Sequence, residues 1–144
     1  MSTLLEKHKK NFFLFLESGF IAVNQADEDS ARKLFKVSEL LDSSNSLSQI
    51  GIGYLHLHKL ELKECIRNFE EVLKKEPHNE MAKSFLGIAM SMSPDHTKQG
   101  EKILHETLKS SDKGIKSLSN TAINFVDKFI KKEPSIAEVK EKKK

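Results

Sequence analysis

The chain has no tryptophan, one tyrosine and one cysteine among its 144 residues. A lone cysteine, Cys65, cannot close an internal disulfide, so the chain fits a reducing compartment. No run of about 18 apolar residues occurs, which excludes a transmembrane helix from the expectations. The apolar stretch from Phe12 to Leu16 meets Glu17 at once and has no small-residue cleavage site, so it reads as a helix of the mature protein, not a signal peptide. There is no glycine-rich phosphate loop: Gly51 and Gly53 fall inside a helical pattern with no flanking strand. Apolar residues make up 38%, low for a thick globular core but normal for a thin two-layer stack. The length allows one compact domain and is too short for two.

Charge of one sign is also missing from the body. The net charge is +3, and residues 131–144, KKEPSIAEVKEKKK, hold six lysines and three glutamates, so the rest is formally neutral. Interspersed signs argue against a nucleic-acid surface, which needs a basic stripe. The expected division is a helical domain over 1–132 and a disordered basic tail over 133–144.

Catalytic and metal constellations are absent from the pattern. His56 and His58, two apart on a helix, point to different faces and cannot share a metal ion. His78, His96 and His105 are scattered, and Glu101 with His105 at i and i+4 reads as a weak surface pair. Cys65 falls where a small core residue is needed, with no histidine fixed nearby to activate it. The expectation is a non-enzyme without cofactor or metal.

What is present is a period. Gly19, Gly53 and Gly87 recur every 34 residues, and so do Ala31 with Cys65, Phe35 with Phe69, and Ser38 with Val72. Each has a physical reason. Small residues let two helix backbones approach, the aromatic ring fills the wedge between them, and Pro77 stops a helix because it lacks an N–H. A third unit carries Gly87 in register, and its second half fits if one residue is inserted. Gly100, Ile103 or Leu104, and Thr107 then take the same roles. The pattern predicts seven helices, near 4–24, 28–42, 46–58, 61–75, 79–92, 94–109 and 113–132. Asp27 or Asp29 starts the second, Asn79 caps the fifth, and Ser93-Pro94-Asp95 starts the sixth. The last carries an apolar stripe, Ile115, Leu118, Ala122, Phe125, Val126, Phe129 and Ile130, expected to pack on the third unit and cap the stack.

A 34-residue unit with a small residue at each helix contact, an aromatic wedge and a closing proline resembles the tetratricopeptide repeat (TPR). The resemblance implies an all-α, TPR-like solenoid of helical hairpins, three repeats plus a C-terminal capping helix. It also implies a concave groove lined by the first helix of each repeat. The matching slots hold Phe13, Leu16, Phe20 and Val23, then Leu47, Ile50, Tyr54 and Leu57, then Met81, Ser84, Ile88 and Ser91. That apolar surface suits an amphipathic helix. The alternatives, ranked after it, are burial against a second copy, as a homodimer when client-free, and then burial within the chain. The slots lack the lysines and asparagines with which some TPR domains clamp an acidic C-terminal tail.

A short array of this kind with a closing helix, IKSLSNTAINFVDKFIKK, is similar to the TPR chaperones of bacterial type III secretion. Its length is closer to the branch that holds the needle subunit, with the translocator chaperones as second choice. The resemblance implies a bacterial cytoplasmic protein that sequesters a small helical secreted subunit, with or without a second small co-chaperone. It implies no contact with nucleic acid or membrane. The rival reading is a TPR adaptor that scaffolds an assembly.

Overall fold

The computed structural model describes residues 2–131, and among them every regular element is helical. The elements are α1 (Ser2–His8), a 3-10 turn (Lys9–Asn11), α2 (Phe12–Asn24), α3 (Glu28–Leu41), α4 (Leu47–His58), α5 (Leu62–Lys75), α6 (Glu80–Met92), α7 (Thr97–Thr107), α8 (Lys113–Phe125) and a π turn (Val126–Ile130). The protein is all-α. The heaviest contacts join α2 to α3, α4 to α5 and α6 to α7, then each hairpin to the next, and α7 to α8. The expected tail over 133–144 lies outside the described residues.

Local chemistry sets the helix ends. Asp27 accepts from the backbone N–H of Ser30, and Asn79 accepts from that of Ala82, so α3 and α6 each start on a side-chain cap. The first two hairpin loops are alike: Ala26 and Leu60, 34 residues apart, both adopt positive φ, 58° and 57°. In each loop the next residue bonds back, Asp27 N–H to Ala22 C=O and Glu61 N–H to His56 C=O, both at 2.9 Å. This closes the helix as a glycine usually would.

Three expected helices differ. The first is broken at Lys9–Asn11: His8, Lys9 and Lys10 are all exposed, so no apolar side chain there holds the turn. The sixth begins at Thr97, not at Pro94. Ser93 is extended, and Ser93–His96 forms a turn one residue longer than the loops before α3 and α5. That turn absorbs the inserted residue of the third unit. The last helix is α-helical to Phe125 and runs on as a π-helix to Ile130, near its expected end, but its stripe is only partly packed: Val126 is buried, while Phe125, Phe129 and Ile130 are exposed.

The wedge arrangement is present in all three hairpins. A Cβ on Gly19 would lie 2.6 Å from the Phe35 ring, and one on Gly53 2.6 Å from the Phe69 ring. On Gly87 it would meet Leu104 at 3.0 Å, so Leu104, not Ile103, takes the aromatic slot. Ala31, Cys65 and Gly100 are buried behind these contacts, as are Ser38, Val72 and Thr107.

Between hairpins the same slots meet again with changed chemistry. Ser38 and Ser48 share a hydrogen bond of 2.7 Å; the corresponding Val72 and Ala82 are both buried and apolar. At the third junction Thr107 and Ser119 restore a hydroxyl pair at 2.7 Å, so α8 docks as the first helix of a fourth hairpin would. A second pair trades roles: Ser46 donates to Glu76 at 2.9 Å, and one period on, Ser110 donates to Glu80 at 2.7 Å.

Candidate functional site

The inner face of α2, α4 and α6 converges with the start of α8 on one apolar pocket of about 380 Å³. Phe20 and Asn24 come from α2, Leu47 and Tyr54 from α4, and Met81 and Phe85 from α6. Ile115 and Leu118 of α8 form the far wall, with Asp112 at its lip. Every wall except α8 belongs to the first helix of a hairpin, because the second helices are occupied in wedging the stack apart.

The pocket floor is a run of rings. Phe35 meets Phe20 edge-on at 5.2 Å, Phe20 lies 5.4 Å from Tyr54, Tyr54 lies 5.5 Å from Phe85, and Phe85 stacks on Phe69 at 5.6 Å. Such contacts fix ring orientation beyond simple burial. The Tyr54 hydroxyl donates to Asn24 Oδ1 at 2.8 Å, tying the second hairpin to the end of α2. Burial pushes its phenol above the ordinary tyrosine range, so it stays a neutral donor at physiological pH. Asp112 is spent on its own helix, accepting from the backbone N–H groups of Gly114 and Ile115.

A second pocket of about 300 Å³ continues along α6 and α8, lined by Ile88, Met92, Ala122, Phe125 and Val126. Leu118 borders both pockets.

Of the residues expected in the groove, Phe20, Leu47, Tyr54 and Met81 meet in the first pocket, and Ile88 lines the second. Phe13 is exposed at the open end of α2, its ring edge-on to Phe12 at 5.1 Å. Leu57 is half-buried against the core around Cys65 and Phe69. Leu16, Val23 and Ile50 require a correction. They are 4%, 2% and 0% exposed and belong to the core. One step around the helix from Phe20, Leu16 and Val23 turn toward the neighbouring helices instead of the groove. Ser84 and Ser91 are buried too. Sequence reasoning missed Asn24 and Phe85, and it assigned Ile115 and Leu118 to packing alone. Phe85 stands one period after Gly51, a slot that reads as small, so the repeat pattern hid it.

Elsewhere a polar cluster bridges the first two hairpins. Lys59 pairs with Glu28 at 2.8 Å and Glu61 at 2.7 Å, Glu28 also holds Arg32, and Glu61 meets His56 Nδ1 at 2.6 Å. Lys59, then Arg32, holds the Glu28 carboxyl below its usual range, and Lys59, then His56, does so for Glu61. A pocket of about 410 Å³ over α3 to α5 has charged walls, but its Arg32 and Lys36 are already paired with Glu28 and Glu39. Among the described residues no three His, Cys, Asp or Glu side chains are placed to share a metal ion. Burial pushes the Cys65 thiol up to about 12, so it is un-ionised at neutral pH. Among the described residues no helix is long and apolar enough to cross a membrane. Comparison of the chain with protein-family models, with curated proteins and with solved structures finds no match.

Proposed function

We propose that the concave face binds an amphipathic helix of a partner protein and that binding, not catalysis, is the activity of this chain. The observation that carries the reading is the pocket in which Phe20, Tyr54 and Phe85, one from each hairpin, converge with Ile115 and Leu118 of α8. Pockets of about 300–1,000 Å³ with apolar walls and few polar groups are the usual form of a ligand site. Here the polar groups are few and already bonded, which favours a guest with an apolar face over a charged peptide tail. The short array of TPR-like units with a closing helix resembles the TPR chaperones of type III secretion, and that resemblance supports a more specific role. In that role the chain holds a small secreted helical subunit, the needle type first and a translocator second, and masks the surface through which it polymerises. The cytoplasm is the compartment this role requires.

A direct test is capture of partners from the native cell, with stoichiometry by mass. The expected result is a small helical secreted protein at one to one. Phe20→Glu or Tyr54→Glu should abolish capture while helicity is retained. Capture unchanged in both variants would remove the groove as the site.

The adaptor reading has its own support in the exposed apolar face of α2, where Leu14 and Ile21 favour self-association.

A further inference from the structure

The repeat register identifies slots that exist to meet the preceding hairpin. In the second hairpin they hold Ser48 and Leu55, both buried, with Ser48 bonded to Ser38 and Leu55 inside the first core. In the third they hold Ala82 and Ala89, buried against the second core. In α8 and the turn after it they hold Ser119 and Val126, again buried. In each case the two residues are seven apart, on one helix face. The first hairpin carries Leu14 and Ile21 in these slots. Leu14 is 61% exposed and Ile21 is 56% exposed. Two large apolar side chains thus stand where three other units have residues packed against a neighbour. The α1 segment does not close this face; it packs on α3 and leaves Leu4 exposed as well.

The opposite end of the stack is a poor match for this face, since its exposed apolar residues, Phe125, Phe129 and Ile130, gather at the end of α8 and just after it. The side of α8 turned away from Ser119 carries Lys113, Ser117, Asn120 and Asn124, all exposed. That is the polar outer face a terminal helix of a solenoid needs. Head-to-tail stacking would press Leu14 and Ile21 onto charged and amide groups.

The face is instead complementary to itself. Ser18 sits between Leu14 and Ile21, and its hydroxyl is already spent on the Leu14 carbonyl at 2.7 Å, so a second helix can approach closely there. In an antiparallel pair, Leu14 of one chain meets Ile21 of the other. The ends complement too. Lys9 and Lys10 precede α2 and Asp27 follows it, while Asp29 is already paired with Lys33 at 2.6 Å; antiparallel pairing sets the basic start of one α2 against Asp27 of its partner. Helix dipoles favour the same orientation. We propose that a second copy of this chain covers the α2 face, α2 against α2 about a two-fold axis near Ser18, as an isologous dimer.

The test is sedimentation equilibrium of the full chain across the micromolar range. The expected result is a monomer–dimer equilibrium weakened by salt. Leu14→Glu with Ile21→Glu should raise the dissociation constant at least about tenfold with an unchanged thermal melt, since both side chains are at the surface. Placement of the axis is tested with Ser18→Cys. Cys65 is buried, so mild oxidation should give a cross-linked dimer through position 18 and none through a control Asn120→Cys. A monomer at every concentration overturns the proposal. So does a dimer indifferent to the double substitution, or cross-linking through position 120 as readily as through 18.

Discussion

Phe35 occupies the volume that a side chain on Gly51 would need: a Cβ placed on Gly51 would lie 2.3 Å from the ring. Phe35 closes its own hairpin against Gly19 and also enters the next hairpin at Gly51, so one ring spaces two units. One period later the arrangement changes. Phe69 has Gly53 in its own hairpin but stacks on Phe85 in the next, and Phe85 turns its other side to the concave pocket. The change from Gly51 to Phe85 therefore supplies the groove with its third aromatic wall.

Gly51→Ala should destabilise by about 1 kcal/mol net, because the gain in helix propensity offsets part of the overpacking at Phe35. Gly100→Ala should cost more, about 2–3 kcal/mol. Its Cβ would lie 2.3 Å from the backbone N of Ser91 and 2.7 Å from the Gly87 carbonyl oxygen, and backbone cannot swing aside. Urea unfolding of the two variants checks the order; equal midpoints would contradict it.

Ser38→Val should cost about 1–3 kcal/mol, since it takes the partner from the buried Ser48 hydroxyl. The double change Ser38→Val with Ser48→Ala recreates the pair found at Val72 and Ala82, and should recover most of that loss. A double-mutant cycle in urea measures the coupling. Strictly additive effects would mean that the two hydroxyls do not depend on each other.

Leu60→Gly should stabilise the protein by about 1 kcal/mol, because Leu60 holds a positive φ that a glycine adopts without steric cost. Leu60 is also exposed, so little packing is lost. Thermal unfolding reads the gain, and a lower melting temperature would count against the account of the loop.

Acid should weaken the contact between the first two hairpins. Glu28 and Glu61 titrate below the free-glutamate range, so their contribution is present above that range and is lost as pH falls through their lowered values. Lys59 has a raised value and loses its part only as pH rises through it, far above neutrality. Lys59→Met should therefore flatten the decline in melting temperature between about pH 5 and pH 3 and reduce its salt dependence. An unchanged slope would show that these exposed pairs contribute nothing measurable.

Much of the fold is written in local spacing. Gly19 with Phe35 and Gly53 with Phe69 fix two hairpins, because a ring and a missing side chain can only pair at one helix separation. Asp27 and Asn79 mark helix starts through bonds that need no distant partner. The insertion in the third unit was legible from Gly87, Leu104 and Thr107, but not its place, since Ser93-Pro94-Asp95 satisfies the rules of a helix start and of a turn alike.

The sequence by itself determined the all-helical class seen in the described residues, the 34-residue period with one insertion in the third unit, and the wedge residues of the first two hairpins; the structure chose Leu104 over Ile103 in the third. Only the tertiary structure decided which side of α2 and α4 is groove and which is core. Both helices are apolar around most of their circumference, so periodicity does not separate Phe20 from Leu16 or Tyr54 from Ile50. That separation comes from where the neighbouring helices cross them, and the same crossing leaves Leu14 and Ile21 in the open while it buries Ser48 and Leu55 one period later.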